Sequence, residues 1–410
     1  MGAAPGDLRE RVRAVPGMDR LLALLADLPP AHLVGGAVRD LLRDERAVDL
    51  DLALEGDAVG AAQELAERLE GRAVRHERFG TATVTAADGL GFDLAATRRE
   101  SYPAPGALPR VRPAPLEQDL ARRDFAVNAM AVGLTGDDLG HLRDPMGGME
   151  DLEDGVIRVL HERSFDDDPT RILRATRYES RLGFVMDPDT DGLAREAVKG
   201  RALDTVSRER IADELLKLLA ETEAGKAVSR LGDLGVDVAL HPELRAEGEL
   251  VAGAELGALE TGADRALAGL AALAVRSPSQ LGDWIGTLGL EAPRREAAAR
   301  GARTAPLLAS ELGRPLRPSE IRALLRREPP EALALALALG APAEPVLRWI
   351  RDLQHTRLAI SGNDLISEGI VPGPAVGAAL EETLRRTLDG DVEGRDQQLA
   401  LALRVAREGS

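Results

Sequence analysis

Residues 33–40 read Leu-Val-Gly-Gly-Ala-Val-Arg-Asp: an apolar run stops at two glycines and restarts with helical spacing. An alternating stretch follows, Val48 to Leu54, carrying Asp49-Leu50-Asp51. A chain written this way must turn sharply from a strand into a helix and come back along a second strand. Glycine at such a turn lets backbone N–H groups approach an anion closely, and Gly36 stands where the helix begins. Arg39, in the first helical turn, can add a charge-assisted contact to the same anion. Asp49 and Asp51 are two apart on a strand and share a face. Side by side, they form a hard oxygen donor set for Mg²⁺ of the kind that in-line phosphoryl or nucleotidyl transfer uses. Taken singly, Gly-Gly is a plain turn and Asp-x-Asp a solvated strand edge; their proximity is what points to a nucleotide site. Asp93, between Phe92 and Leu94, reads equally as a third metal ligand and as a strand-end cap or ion-pair partner.

The surrounding pattern is α/β up to residue 145. Helical stretches Leu8–Arg13, Met18–Leu28, Ala37–Arg43 and Gly60–Leu69 alternate with apolar or alternating runs at His32–Val34, Val48–Leu54, Ala73–His76, Thr81–Ala86 and Gly91–Ala95. This predicts a small mixed sheet with helices packed on it. The turn cluster Asp144-Pro145-Met146-Gly147-Gly148 ends that texture, and nearly everything beyond it has helical spacing. The expected organisation is a head over 1–145, a neck over 146–220, a helical body over 221–300 and a helical tail over 301–410. Ile360 to Gly373 is read as a connector within the tail.

Charge limits what such a chain can bind. The net charge is −17, divided as −11 over residues 1–220 and −6 over 221–410, so a polyanion must find local arginine clusters rather than a basic tail. Aromatic residues make up 2%, too few for an extended base-stacking platform. With no cysteine, disulfides, thiolate metal sites and cysteine nucleophiles are excluded. The six histidines are scattered, which argues against an attached His/Asp metallohydrolase domain. No apolar stretch approaches a membrane span and the N-terminus does not read as a signal peptide, so a cytoplasmic protein is expected.

Two further clusters carry chemistry. In Arg122-Arg123-Asp124-Phe125-Ala126-Val127-Asn128, a helix would bring Asp124 and Asn128 to one side, where carboxylate and amide can bracket a ribose. Arg123 is placed to reach phosphate, although an Arg-Arg-Asp helix start also serves as a surface cap. In Asp166-Asp167-Asp168-Pro169-Thr170-Arg171, Pro169 suits a first helical turn, and Asp168, Arg171, Arg174 and Arg177 form a polar stripe over buried Ile172, Leu173 and Ala175. Asp168 with Arg171 offers an acceptor and donors to the edge of a base. Three arginines unpaired on one face would repel one another unless an anion joined them.

In order and spacing, these clusters resemble the class II tRNA nucleotidyltransferase (CCA-adding enzyme) and bacterial poly(A) polymerase family. LVGGAVRD…DLD is similar to its metal-binding motif, RRDFAVNAMA to its ribose-selecting motif and DPMGGMEDL to its hinge motif. DDPTR is similar to its amino-acid template for the incoming base, and Glu209-Arg210-Ile211-Ala212-Asp213-Glu214 to its helix-bracing motif. The resemblance covers Leu33 to Leu219, with a weaker echo at Ser361–Leu365 and Gly373-Pro374. It implies a polymerase-β-like catalytic nucleotidyltransferase head followed by an all-α neck that recognises the nucleotide base, a helical body and a tail that binds tRNA. It further implies Mg²⁺ on Asp49 and Asp51, and the nucleotide triphosphate on Gly36 and Arg39. Arg123 would contact nucleotide, Asp124 and Asn128 would select ribose, and Asp168 and Arg171 would pair with ATP or CTP beside Arg174 and Arg177. The implied reaction is template-independent addition of CMP and AMP to the 3′ end of tRNA. Asp167 departs from the family's usual Glu. The Pro- and Arg-rich stretch Tyr102–Pro115 falls where the family has a flexible loop. Enzymes that add only CC, add only A or build poly(A) share this chemistry. A non-catalytic RNA-binding protein and a small-molecule nucleotidyltransferase are the readings of other classes.

Overall fold

The computed structural model describes residues 8–45, 50–76 and 80–408, so Asp49, half of the expected metal pair, lies outside the described residues. The chain forms two compact units, Met1–Ile211 with Leu234–Ala239, and Ala212–Asp233 with Leu240–Ser410. The division falls within the helix Arg208–Ala220, near the expected end of the neck.

The first unit is built on a mixed sheet whose strands are β1 (Ala31–Val34), β2 (Asp51–Leu54), β3 (Arg72–His76), β4 (Thr81–Thr85) and β5 (Gly91–Ala96). A two-stranded hairpin follows, β6 (Arg98–Ser101) and β7 (Arg110–Pro113), and the sheet closes with β8 (Ala131–Gly133) and β9 (Leu142–Arg143). The seven sheet strands lie in the order β3-β4-β5-β2-β1-β8-β9. Only β2 and β5 run parallel. Strand alternation divides the residues between two faces. Leu33, Leu52, Leu54, Leu94 and Val84 enter one core with Leu21 and Leu25 of the helix Met18–Leu25 and with Leu65 of Ala58–Arg68. Val34, Ala53 and Ala131 point the other way, against Leu116 and Leu120 of the short helix Leu116–Ala121. Asp51 and Asp93 belong to this second face, since Leu50, Leu52, Phe92 and Leu94 occupy the first.

Most expected helices and strands appear near their sequence limits among the described residues, and three of the differences have local causes. The Tyr102–Pro115 loop is the arm and tip of the β6–β7 hairpin, whose polar sequence carries no apolar alternation. Strands β8 and β9 are three and two residues long, too short to show a period. The connector Ile360–Gly373 contains a helix, Gly362–Ser367, held at its start by a reciprocal Ser361–Asp364 capping box.

The second unit is all helix, and its packing accounts for a composition rich in alanine and glycine. Gly257 of the helix Gly248–Thr261 lies against the Ala334 backbone of Pro330–Ala338, where an added Cβ would meet the Ala334 carbonyl oxygen at 2.4 Å. One turn away, Gly253 faces Ala338. Backbones this close need small residues rather than aromatic ones at the crossing. Among the described residues no helix is long and apolar enough to cross a membrane.

Candidate active site

Gly35 is the geometric centre of the first cluster. Its φ of +70° is a conformation that side chains disfavour, and the space beside it is filled. A Cβ there would stand 2.8 Å from Nη1 of Arg123 and 3.9 Å from Oδ2 of Asp51. The glycine therefore brings a guanidinium and a carboxylate together at the end of β1. Its carbonyl accepts from the backbone N–H of Val38 and Arg39, starting the helix Gly36–Leu42.

Sheet register places Asp93 of β5 directly beside Asp51 of β2. In a parallel pair, residues in register point to the same side, so the two carboxylates share one face. Asp93 accepts a 2.5 Å hydrogen bond from Thr83 Oγ1. Two neighbouring carboxylates beside an arginine suit a hard divalent cation that itself neutralises a phosphate. The described residues thus fit an ion held by Asp51, with Asp93 as the adjacent donor.

Arg39 occupies a different place from the one expected of an open phosphate ligand. It is 2% exposed; its Nε and Nη2 bond Asp40 Oδ1 and its Nη1 donates to Asn128 Oδ1 at 2.7 Å. Buried this way, Arg39 orients the Asn128 amide, whose Nδ2 donates to Asp124 Oδ1 at 3.1 Å. The Asp124–Asn128 pairing read from spacing is present, but no α-helix makes it. Phe125 bridges to Val159, and only Ala126–Asn128 winds, as a 3₁₀ turn. Asp124 also accepts from the Phe125 N–H, a local bond that competes with helix formation.

The arginines of the helix Thr170–Leu182, expected to need an external anion, have partners within the protein, of which a carboxylate meets Arg174 and neutral groups meet Arg171. Arg174 donates to Asp124 Oδ2 through Nε at 2.9 Å and Nη2 at 2.5 Å. Burial alone would raise the Asp124 pKa; Arg174, with the Asn128 hydrogen bond, instead holds it down at about 2. Arg171, 5% exposed, donates to Ser164 Oγ and to the Arg122 carbonyl. Arg177 lies over the Tyr178 ring, which Arg39 and Arg174 also approach, with centroid distances of 4.9, 5.4 and 5.7 Å.

Asp168 caps the stripe helix, its Oδ1 accepting from the backbone N–H and the hydroxyl of Thr170. The same oxygen meets Arg210 Nη2 at 2.8 Å, while Arg210 Nη1 donates to the Gly106 carbonyl at the hairpin tip. Arg210 therefore ties the expected base-reading carboxylate to the hairpin. With the activity that the resemblance implies, Arg210→Ala is expected to lower kcat/KM for the preferred nucleotide about tenfold, the worth of a hydrogen bond to a charged group, and to narrow the preference between CTP and ATP. Single-nucleotide incorporation with each triphosphate alone measures this.

Sequence reading missed Asp119. Nearly fully buried, it accepts from Arg122 at 2.8 and 3.0 Å and from Arg123 at 3.2 Å. These guanidiniums overcome the effect of burial and keep its pKa below the ordinary carboxylate range. The signal was available as spacing three and four residues ahead of the two arginines on a helical stretch. Asp119 positions Arg123 over Gly35.

Two family models match the chain. Residues 31–158 match the Poly A polymerase head domain, and residues 183–247 match the model described as the probable RNA and SrmB- binding site of polymerase A. A CC-adding tRNA nucleotidyltransferase of Deinococcus radiodurans is 35% identical over 372 residues, covering 89% of this chain and 87% of that protein. The chain belongs to the tRNA nucleotidyltransferase and poly(A) polymerase family. An A-adding tRNA nucleotidyltransferase of Geobacter sulfurreducens is 36% identical over 399 residues, 92% of this chain but 45% of that protein. This family member spans less than half the length of that relative and of two further A-adding ones. Among solved structures, the Thermotoga maritima CCA-adding enzyme complexed with tRNA superposes with a TM-score of 0.79 at 30% identity, covering 97% of this chain and 98% of that one.

Proposed function

We propose that this protein extends the 3′ end of tRNA, adding CMP and AMP from CTP and ATP with release of pyrophosphate, in the cytoplasm. The observation that carries the reading is the Gly35 cradle, where the Asp51 carboxylate and the Arg123 guanidinium flank one point at the end of β1. Asp51, with Asp49, would hold Mg²⁺. Bound there, the cation would assist attack of the tRNA 3′-hydroxyl on the α-phosphate and offset charge on the departing pyrophosphate. Arg123, steadied by Asp119, meets the triphosphate near Gly36. Asp124 and Asn128 present acceptor and donor to the ribose, with Arg39 fixing the amide. Asp168 and Arg171 read the base, Arg174 and Arg177 lining the same side. An incoming nucleotide must draw Arg174 and Arg171 away from some of their present partners, so base reading involves exchange of hydrogen bonds within the stripe. No side chain serves as a covalent nucleophile.

A narrower activity, A only or CC only, is the second reading, favoured by the names of the relatives above. Incubating the protein with Mg²⁺ and tRNA ending before, within or after CC, with each triphosphate alone and both together, separates the two. CCA on the shortest substrate supports full addition; one A on a CC end, or CC alone, supports the narrower activity. No incorporation on any end overturns the proposal.

A further inference from the structure

We propose that Tyr178 is a positioning residue for sugar selection, its ring a common seat for Arg39 and Arg174. Through those arginines it holds Asn128 and Asp124 in the geometry that tells a ribonucleotide from its 2′-deoxy form. The proposal rests on the reading of Asp124 and Asn128 as ribose ligands, and adds to it a residue that need not touch the nucleotide.

Three observations carry it. First, the ring gathers cations from two elements. Arg39, of the helix Gly36–Leu42, lies 5.4 Å from its centroid. Arg174 and Arg177, of its own helix Thr170–Leu182, lie 5.7 and 4.9 Å away. All three fall inside the ~6 Å within which a ring face attracts a cation. The surroundings are dry, with Tyr178 8% exposed, Arg39 2% and Arg177 7%. Guanidiniums gathered about one point repel one another, and away from water the π face offsets more of that repulsion than it could at the surface. Second, two of these arginines end on the ribose pair. Arg39 Nη1 donates to Asn128 Oδ1 at 2.7 Å, and Arg174 Nε to Asp124 Oδ2 at 2.9 Å, while Asn128 Nδ2 donates to Asp124 Oδ1 at 3.1 Å. Amide and carboxylate are each gripped by an arginine, and both arginines rest on one ring. Third, the ring is itself fixed. The fully buried Phe125 meets it at 85° with centroids 5.8 Å apart, an edge-to-face arrangement that aromatic pairs prefer. The chain has two tyrosines and five phenylalanines, so aromatic side chains are not its ordinary core filler. A leucine would occupy similar space here but offer no face to a cation. The hydroxyl contributes less, since Arg174 Nη2 stands 3.5 Å from it, too far for a strong hydrogen bond.

The test measures equilibrium binding of ATP and CTP to the full chain, each against its 2′-deoxy form, with Mg²⁺ and without tRNA. Incorporation of the same nucleotides on tRNA ending before or after CC is followed in parallel. The proteins are the wild type, Tyr178→Phe, Tyr178→Leu, and chains carrying increasingly fluorinated phenylalanines at that position, which lose π density while nearly keeping their shape. Tyr178→Phe is expected to keep the preference for the ribonucleotide within about threefold of the wild type. Tyr178→Leu is expected to narrow it about tenfold, kcat/KM falling for the ribonucleotide and changing little for the deoxy form. Along the fluorinated series the preference should decline stepwise. A ring that only fills space would lower both nucleotides in equal proportion and be indifferent to fluorine, so a preference unmoved by Tyr178→Leu or by fluorination overturns the proposal. Should Tyr178→Leu fail to fold, the fluorinated series decides alone. A wild type that binds the triphosphates but incorporates none on any tRNA end refutes the tRNA reading, while the binding preference still reports on Tyr178. A wild type that binds ribo and deoxy forms equally leaves nothing for the ring to set and overturns the proposal as well.

Discussion

Replacing Asp51 with asparagine is expected to reduce nucleotide addition about a thousandfold or more while leaving the fold in place. The substitution preserves shape at the start of β2 and removes one negative charge beside Gly35. In the proposed mechanism this charge would hold the cation against the triphosphate, so the loss is expected in kcat rather than in tRNA binding. Asp51 is only half-buried, so stability should change by no more than ~1 kcal/mol. Asp93 provides the internal comparison. It stands in register with Asp51 but already accepts from Thr83. Asp93→Asn is expected to cost about tenfold if it only supports the site, whereas a loss equal to that of Asp51→Asn makes it a full metal ligand. Single-turnover incorporation across a Mg²⁺ titration measures both. An Asp51→Asn protein keeping a tenth of wild-type turnover would remove the basis of the proposed mechanism.

The head was legible because its chemistry lies in local sequence. Gly35-Gly36 join a strand to a helix, and Asp51 and Asp93 sit on short strands whose neighbours are apolar and alternate, so period and turn chemistry place them without tertiary information. The arginine stripe was legible as a face but not as a network. Spacing put Arg171, Arg174 and Arg177 on one helix, whereas their partners Arg122, Asp124 and Ser164 come from segments that only folding brings near. For the same reason Arg39, in the first turn after the glycines, read as a phosphate ligand although Asn128, eighty-nine positions away, claims its guanidinium. The small-residue crossing of Gly253 and Gly257 against Ala334 and Ala338 was hidden too, since single alanines and glycines carry little signal until two helices are laid together.

At Asp124 a test of stability and a test of specificity meet. Its carboxylate is buried, and Arg174 with Asn128 holds its pKa at about 2, below the ~3.9 of an aspartate in the unfolded chain. A carboxylate lowered on folding stabilises the protein above the unfolded value, and that contribution disappears as the pH falls through the folded one. Asp124 is therefore expected to add about 2 kcal/mol near neutrality, fading between roughly pH 4 and pH 2. Asp124→Asn turns an amide toward Arg174 and leaves that half-buried cation without its counter-charge, a change that destabilises by about 2 kcal/mol. In urea unfolding the variant should be weaker at pH 7 and should lack this part of the acid dependence, so that the two proteins converge toward pH 2. If Asp124 also reads the ribose, the same substitution narrows the preference for ATP over dATP by at least tenfold, because a hydroxyl recognised by a fixed acceptor is discriminated far more strongly than one merely accommodated. Unchanged ribose discrimination beside the predicted loss of stability would confine Asp124 to holding Arg174 and Asn128, and would move sugar selection elsewhere in the site.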